Sequence, residues 1–214
     1  MRASTSSAGR SRRAPILAFV GVAAILTFLL APRVFPAVAG TGDSRWPQGV
    51  VNVYDESGMT DTMITAAERW TDSGANVTIR MVRSDKDADV IVRTDDHRLR
   101  ELCGRDCLGY STSIGRPSDG TSEIIMRGNL GGDPRPLSVW VAAHELGHVL
   151  GLHHRDGHDC SVMSPRAFDT RCAPSLAATR PTLSELACVP APADVDVAAG
   201  LYGGAAATRD PRCR

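Results

Sequence analysis

Lysine is almost missing from this chain: Lys86 stands alone, and arginine carries nearly all of the positive charge. That skew reflects GC-rich coding rather than a binding surface. Net charge is missing as well, with 24 basic residues against 24 acidic ones mixed along the chain. A nucleic-acid footprint needs basic residues clustered on one face, so that class of partner is excluded. No internal repeat and no low-complexity domain appears, which leaves an ordinary globular domain. Cysteine is absent before Cys103, and the six cysteines (Cys103, Cys107, Cys160, Cys172, Cys188 and Cys213) all lie beyond the leader. An even count in an oxidising compartment reads as three disulfides with fifteen connectivities. Sequential pairing, 103–107, 160–172 and 188–213, is expected because each bond would staple a loop or terminus locally. "CGRDC" does not read as half of a zinc site, since no second pair of matching spacing accompanies it.

What is present begins with a leader. Arg2, Arg10, Arg12 and Arg13 precede an uncharged apolar run from Ala14 to Ala31. Ala37-Val38-Ala39 then offers the small residues a signal peptidase reads. The run is long for a cleaved signal and just sufficient to span a bilayer, so cleavage and anchoring both stay open. In either case the positive end stays in the cytoplasm and everything from Gly40 onward lies outside the membrane. The expected organisation is a signal peptide or signal anchor over 1–39, a short linker over 40–48 and one domain over 49–214. A chain of 214 residues has room for one such domain with its own core.

Within the domain, "GVVNVYD" (49–55) alternates as a strand does. Met59, Met63, Ala66, Ala67 and Trp70 recur at helical spacing until Gly74, and form a core-facing stripe. "NVTIRMV" (76–82), "ADVIVRT" (88–94), "GYSTSIG" (109–115) and "SEIIMRG" (122–128) supply further strands. Asp95, Asp96 and His97 read as a solvated strand end, followed by a loop that carries Cys103 and Cys107. Ser138 is placed to N-cap a helix over 139–150, and "PADVDVAAGLYGG" to form a last short helix ended by Gly203.

The informative stretch is "VAAHELGHVLGLHH", Val141 to His154. Residues four apart share a helix face, so His144 and His148 can offer two imidazole nitrogens to one ion. Glu145 is offset around the helix, where its carboxylate can reach a water on that ion. Gly151 permits a left-handed exit that a Cβ would resist, and that turn can swing His154 back as a third ligand. With 6 histidines in 214 residues, three at fixed offsets arise by chance roughly once in tens of thousands of start positions. His153 falls one residue short of this spacing and is expected to face solvent. His158, Asp156 and Asp159 read as ordinary loop residues.

The pattern HExxHxxGxxH, followed by Met163 in "CSVMSP", resembles the metzincin metallopeptidases. "AAHELGHVLGL" with "CSVMS" and Cys172 is similar to the snapalysins. A histidine at 154, "VMSP" and "DVDVAAGLYG" are closer to the matrixins. The resemblance covers roughly Val50 to Gly203 and is specific from Val139 to Pro165. It implies a catalytic zinc on His144, His148 and His154, with a fourth position left for water. It implies Glu145 as general base and Met163 as a hydrophobic floor beneath the metal. The edge strand that pairs with a substrate peptide would include Tyr110, Ser111, Thr112 and Ser113. Pro165 to Phe168 would shape the pocket for the side chain after the scissile bond. Structural calcium is allowed by the resemblance, but no ligand set for it stands out. No tyrosine stands shortly after Met163, so an astacin-like fifth ligand is not expected. "PRCR" at 211–214 is similar to a cysteine switch, but Cys213 is expected to pair with Cys188 instead.

The expectation is therefore an α+β domain: a twisted mixed sheet of four or five strands, an active-site helix and a second long helix, after the N-terminal signal or anchor helix. The expected activity is an extracytoplasmic zinc endopeptidase, secreted or membrane-anchored, acting as a monomer on a protein or peptide. The competing reading is a catalytically inactive, zinc-containing, peptide-binding ectodomain. A purely structural zinc would need a fourth protein ligand, and the motif offers three.

Overall fold

The computed structural model describes residues 44–118, 120–130, 133–155, 161–167 and 189–207. All of them belong to the second of the two units into which the chain divides, Gly40–Arg214. The leader, four of the six cysteines, Phe168 and the 211–214 segment lie outside these residues. Among the described residues no helix is long and apolar enough to cross a membrane.

Three segments rich in β-branched residues become parallel strands: β1 (Val50–Asp55), β2 (Thr78–Val82) and β3 (Val90–Thr94). Alternation along β1 sends Val51 and Val53 into the core, with Val53 opposite Met81 on one side and Val90 on the other. β5 (Ser122–Met126) extends the sheet in parallel beside β3. β4 (Gly109–Ser111) closes it antiparallel to β5, giving the order β2-β1-β3-β5-β4. The expected mixed sheet is thus five-stranded, but its edge strand is three residues long, and Thr112 to Gly115 fall beyond it.

β5 is buried on both faces. Ile124 and Met126 join the main core, whereas Ile125 is buried apart from it, as is Leu99. Leu99 belongs to a helix that sequence reading misses, α2 (Asp96–Cys103), which touches β4 and β5. Asp95, at the solvated end of β3 as expected, has a second role. Its carboxylate accepts from the backbone N–H of His97 and Arg98 and so caps α2. A helix that buries one leucine gives no apolar period to read. The Cys103–Cys107 disulfide closes the turn between α2 and β4, matching the expected pairing; the other two expected pairs lie outside the described residues.

The helical stripe forms α1 (Thr60–Thr71), with Met63, Ala66, Ala67 and Trp70 buried. Its own N-cap, Met59, offers no side-chain acceptor. Asp133, distant in sequence, accepts from the N–H groups of Asp61 and Thr62 instead. The central helix α3 (Pro136–Val149) begins earlier than expected, because Pro136 suits the first helical position. Ser138 therefore sits inside the helix, and its hydroxyl accepts from the Arg135 N–H at 3.0 Å. Every residue from Ser138 to Val149 is buried, as befits a helix that is apolar all round. Trp70 ties α1 to it by donating from Nε1 to the Ala143 carbonyl at 2.8 Å. The last helix, α4 (Pro192–Tyr202), ends at Gly203 with φ 81°, and Tyr202 donates its hydroxyl to the Leu150 carbonyl.

Candidate metal centre

His144 and His148 stand one turn apart on α3, both buried. Each ring spends one nitrogen on the backbone: Nδ1 of His144 meets the Val162 carbonyl at 2.6 Å, and Nδ1 of His148 meets the Leu152 carbonyl at 2.7 Å. A carbonyl can only accept, so each Nδ1 carries the proton and each Nε2 presents a bare lone pair. Gly151, at φ 95°, reverses the chain at the end of α3. Its N–H bonds to the His148 carbonyl and the Leu152 N–H to the Gly147 carbonyl. That reversal brings His154 Nε2 to 3.2 Å from His144 Nε2 and 3.1 Å from His148 Nε2.

Three such nitrogens facing one another are a problem that the side chains alone do not solve. A proton on His154 Nε2 could satisfy one contact well, not both. A cation satisfies all three. A tetrahedral ion with nitrogens at about 2.0–2.1 Å holds them roughly 3.3 Å apart, close to the 3.2 and 3.1 Å that separate His154 Nε2 from the other two. The triad could therefore hold a metal ion. Burial lowers the His144 pKa to about 3 and the His148 pKa to about 4, so both rings are neutral near pH 7 and ready to ligate.

The contacts behind the Val162 carbonyl fix the His144 ring. Asp194 of α4 is fully buried and accepts from the Val162 N–H at 2.8 Å, the Ala191 N–H at 3.0 Å and the Ser161 hydroxyl. Ser161 Oγ in turn accepts from the Met163 N–H. Asp194 thereby sets the loop whose Val162 carbonyl orients His144. Burial pushes the Asp194 carboxyl above its ordinary range, while these donors pull it down. Sequence reading places Asp194 only as the start of a helix; proline two residues earlier is the signal that it sits in a first turn. Met163 is buried under α3 where Gly147 leaves room, since a Cβ there would run into the sulfur. Trp140 stacks on the His144 ring, centroids 5.3 Å apart.

Glu145 is buried beside the triad and turned toward β4. Burial raises its carboxyl to about 8, against a hydrogen bond from the Ser111 backbone that lowers it. A cleft of about 990 Å³ opens in front of these groups. β4 and the following residues to Ile114 form one wall, and Ser164 to Ala167 line it as well. His153 is exposed on this cleft and stands outside the triad. Tyr110, Ser111, Thr112 and Ser113 all line it.

No protein-family model and no curated protein matches the chain. Among solved structures one titled "Structure of Myroilysin" is similar. It shares 21% identity at a TM-score of 0.38, over 54% of this chain and 46% of that one. The chain thus spans less than half of that protein, and a likeness this slight carries no functional weight. What the site can do rests on its own residues.

Proposed function

We propose that this protein is a zinc-dependent endopeptidase of metzincin type that works outside the cytoplasm. The observation that carries the reading is the convergence of three Nε2 atoms, that of His154 lying 3.1–3.2 Å from the other two, with a buried carboxylate beside them, all opening on one cleft. Zinc held by His144, His148 and His154 supplies Lewis-acid polarisation of a peptide carbonyl and makes water more acidic. The remaining work belongs to the chain. Glu145 accepts the proton of the attacking water at a carboxylate oxygen and delivers it to the amine nitrogen of the departing half. Burial alone would keep Glu145 protonated near pH 7, but a dication beside it favours the ionised form that a base needs. Met163 supports the floor, and the outward backbone of β4 offers an extended peptide a strand to pair with. The leader and the Cys103–Cys107 disulfide support an extracytoplasmic site of action, with one zinc and a monomeric enzyme.

The test compares the purified protein with Glu145→Ala, on an unfolded protein substrate, with zinc assayed in both. Cleavage by the parent alone, with one zinc in each, is the expected outcome. Equal zinc with no cleavage by either would favour the peptide-binding ectodomain, and absence of zinc from the parent would sink the reading.

A further inference from the structure

Gly109 opens the edge strand in a cleft where every neighbour carries a side chain. Its φ is not in the left-handed region, so conformation does not call for glycine. Space does. A Cβ on Gly109 would stand 2.5 Å from Glu145 Oε1, 2.9 Å from Glu145 Cγ and 2.8 Å from Val141 Cγ1. Both Glu145 and Val141 are buried on α3 and have little room to retreat.

The strand's hydrogen-bond pattern explains what Glu145 is doing there. The Thr112 N–H bonds to the Glu123 carbonyl and the Arg127 N–H to the Leu108 carbonyl. Leu108 and Thr112, on either side of β4, therefore turn these backbone groups toward β5, and by alternation Gly109 and Ser111 turn theirs toward the cleft. An outward N–H on an edge strand is normally left to water. At Ser111 it acts on the Glu145 carboxylate instead, favouring its ionised form. The Cys103–Cys107 disulfide closes the turn just ahead, with Cys107 Sγ 3.0 Å from the Gly109 carbonyl oxygen, which fixes where the strand starts.

We infer that Gly109 is a positioning residue for catalysis: by lacking a side chain it lets the Glu145 carboxylate dock on the open edge of the sheet, where it meets the Ser111 N–H in the cleft that the histidine triad shares. The edge strand then does two things, pairing with substrate and orienting the base. This rests on the peptidase reading above. It makes the base rigid, and a displacement of about 1 Å in a catalytic group can cost on the order of a hundredfold in rate.

Two measurements test it. Amide hydrogen exchange at Ser111, followed by NMR, reads the contact without any turnover. Ser111 is expected to be protected in the parent and to exchange at least tenfold faster in Glu145→Ala, a change that does not touch the strand. Steady-state kinetics on Gly109→Ala should show kcat lowered at least tenfold, KM within about twofold and zinc content unchanged. Glu145→Asp, which withdraws the carboxylate by one methylene, should cost less in the Gly109→Ala background than in the parent, as coupled neighbours do. Ser111 exchange that is equally fast in parent and Glu145→Ala overturns the inference, whether or not Gly109→Ala folds. So does a folded Gly109→Ala with parental kcat. If the parent cleaves nothing while Ser111 protection still depends on Glu145, the peptidase reading falls, and the catalytic role of Gly109 with it.

Discussion

Asp194→Ala removes a carboxylate that no substrate touches, and its effect should reach the metal. The side chain is fully buried and serves as acceptor for the Val162 N–H, the Ala191 N–H and the Ser161 hydroxyl. Leaving a buried donor without its acceptor costs about 1–3 kcal/mol. The three share one acceptor group and do not add independently, so the expected loss of stability is about 3–5 kcal/mol. Asp194→Asn keeps one accepting oxygen and should cost roughly half of that. Stability is only part of the effect. Val162 is the residue whose carbonyl takes the Nδ1 proton of His144, so loosening it frees the ring to rotate. Partners that orient a ligating histidine typically matter 10–100-fold in metal affinity. The assay has two arms: urea unfolding of the metal-free protein followed by circular dichroism, and zinc affinity by competition with a chelator at a temperature where the variant stays folded. A variant that loses stability but keeps zinc affinity within about threefold of the parent would refute the relay from α4 through Val162 to His144.

Three further outcomes follow from the geometry. The Glu145 carboxyl is raised to about 8 in the folded, metal-free protein from an ordinary value of 4.5, so the folded state binds the extra proton across that window. Ionisation then destabilises the metal-free parent progressively as pH rises from about 4.5 to 8, by an amount of order 4–5 kcal/mol as an upper bound. Glu145→Gln should remove that loss, and its stability advantage in chelator should grow between pH 5 and pH 8 and level off above; a constant difference would contradict the burial. Gly147→Ala forces a methyl against Met163 Sδ beneath α3, and overpacking of this kind costs about 1–3 kcal/mol, measurable as a thermal midpoint several degrees lower. Removing the Cys103–Cys107 bond by the paired changes Cys103→Ser and Cys107→Ser opens a short loop and should cost about 2 kcal/mol by chain entropy, read from the urea midpoints of variant and parent.

The elements that sequence reading places correctly are those with a strong local period. β1, β2, β3 and β5 announce themselves by β-branched runs, and α1 by its Met, Ala and Trp stripe. α2 escapes because one buried leucine makes no pattern, and its N-cap Asp95 looks like any polar loop residue. The start of α3 shifts because serine can cap from outside a helix or bond back from within it, and the letters alone do not distinguish the two. β4 shrinks to Gly109–Ser111 because strand length depends on where β5 stops pairing with it.

For the site, the sequence by itself determined the ligand geometry that is local. His144 and His148 lie four apart on a helix, Gly151 turns the chain, and His154 follows at a distance that brings it back; each relation spans fewer than a dozen residues and follows from helical period and glycine's freedom at φ 95°. Only the tertiary structure decided which nitrogen of each buried ring faces the centre of the triad, because the Val162 carbonyl that fixes His144 arrives from another loop, held by Asp194 from the last helix. It likewise decided that Glu145 rests on Gly109 and Ser111. Such contacts join residues eighteen or more apart in the chain. No periodicity along a chain encodes them, since they exist only once sheet, central helix and final helix have packed around a common core.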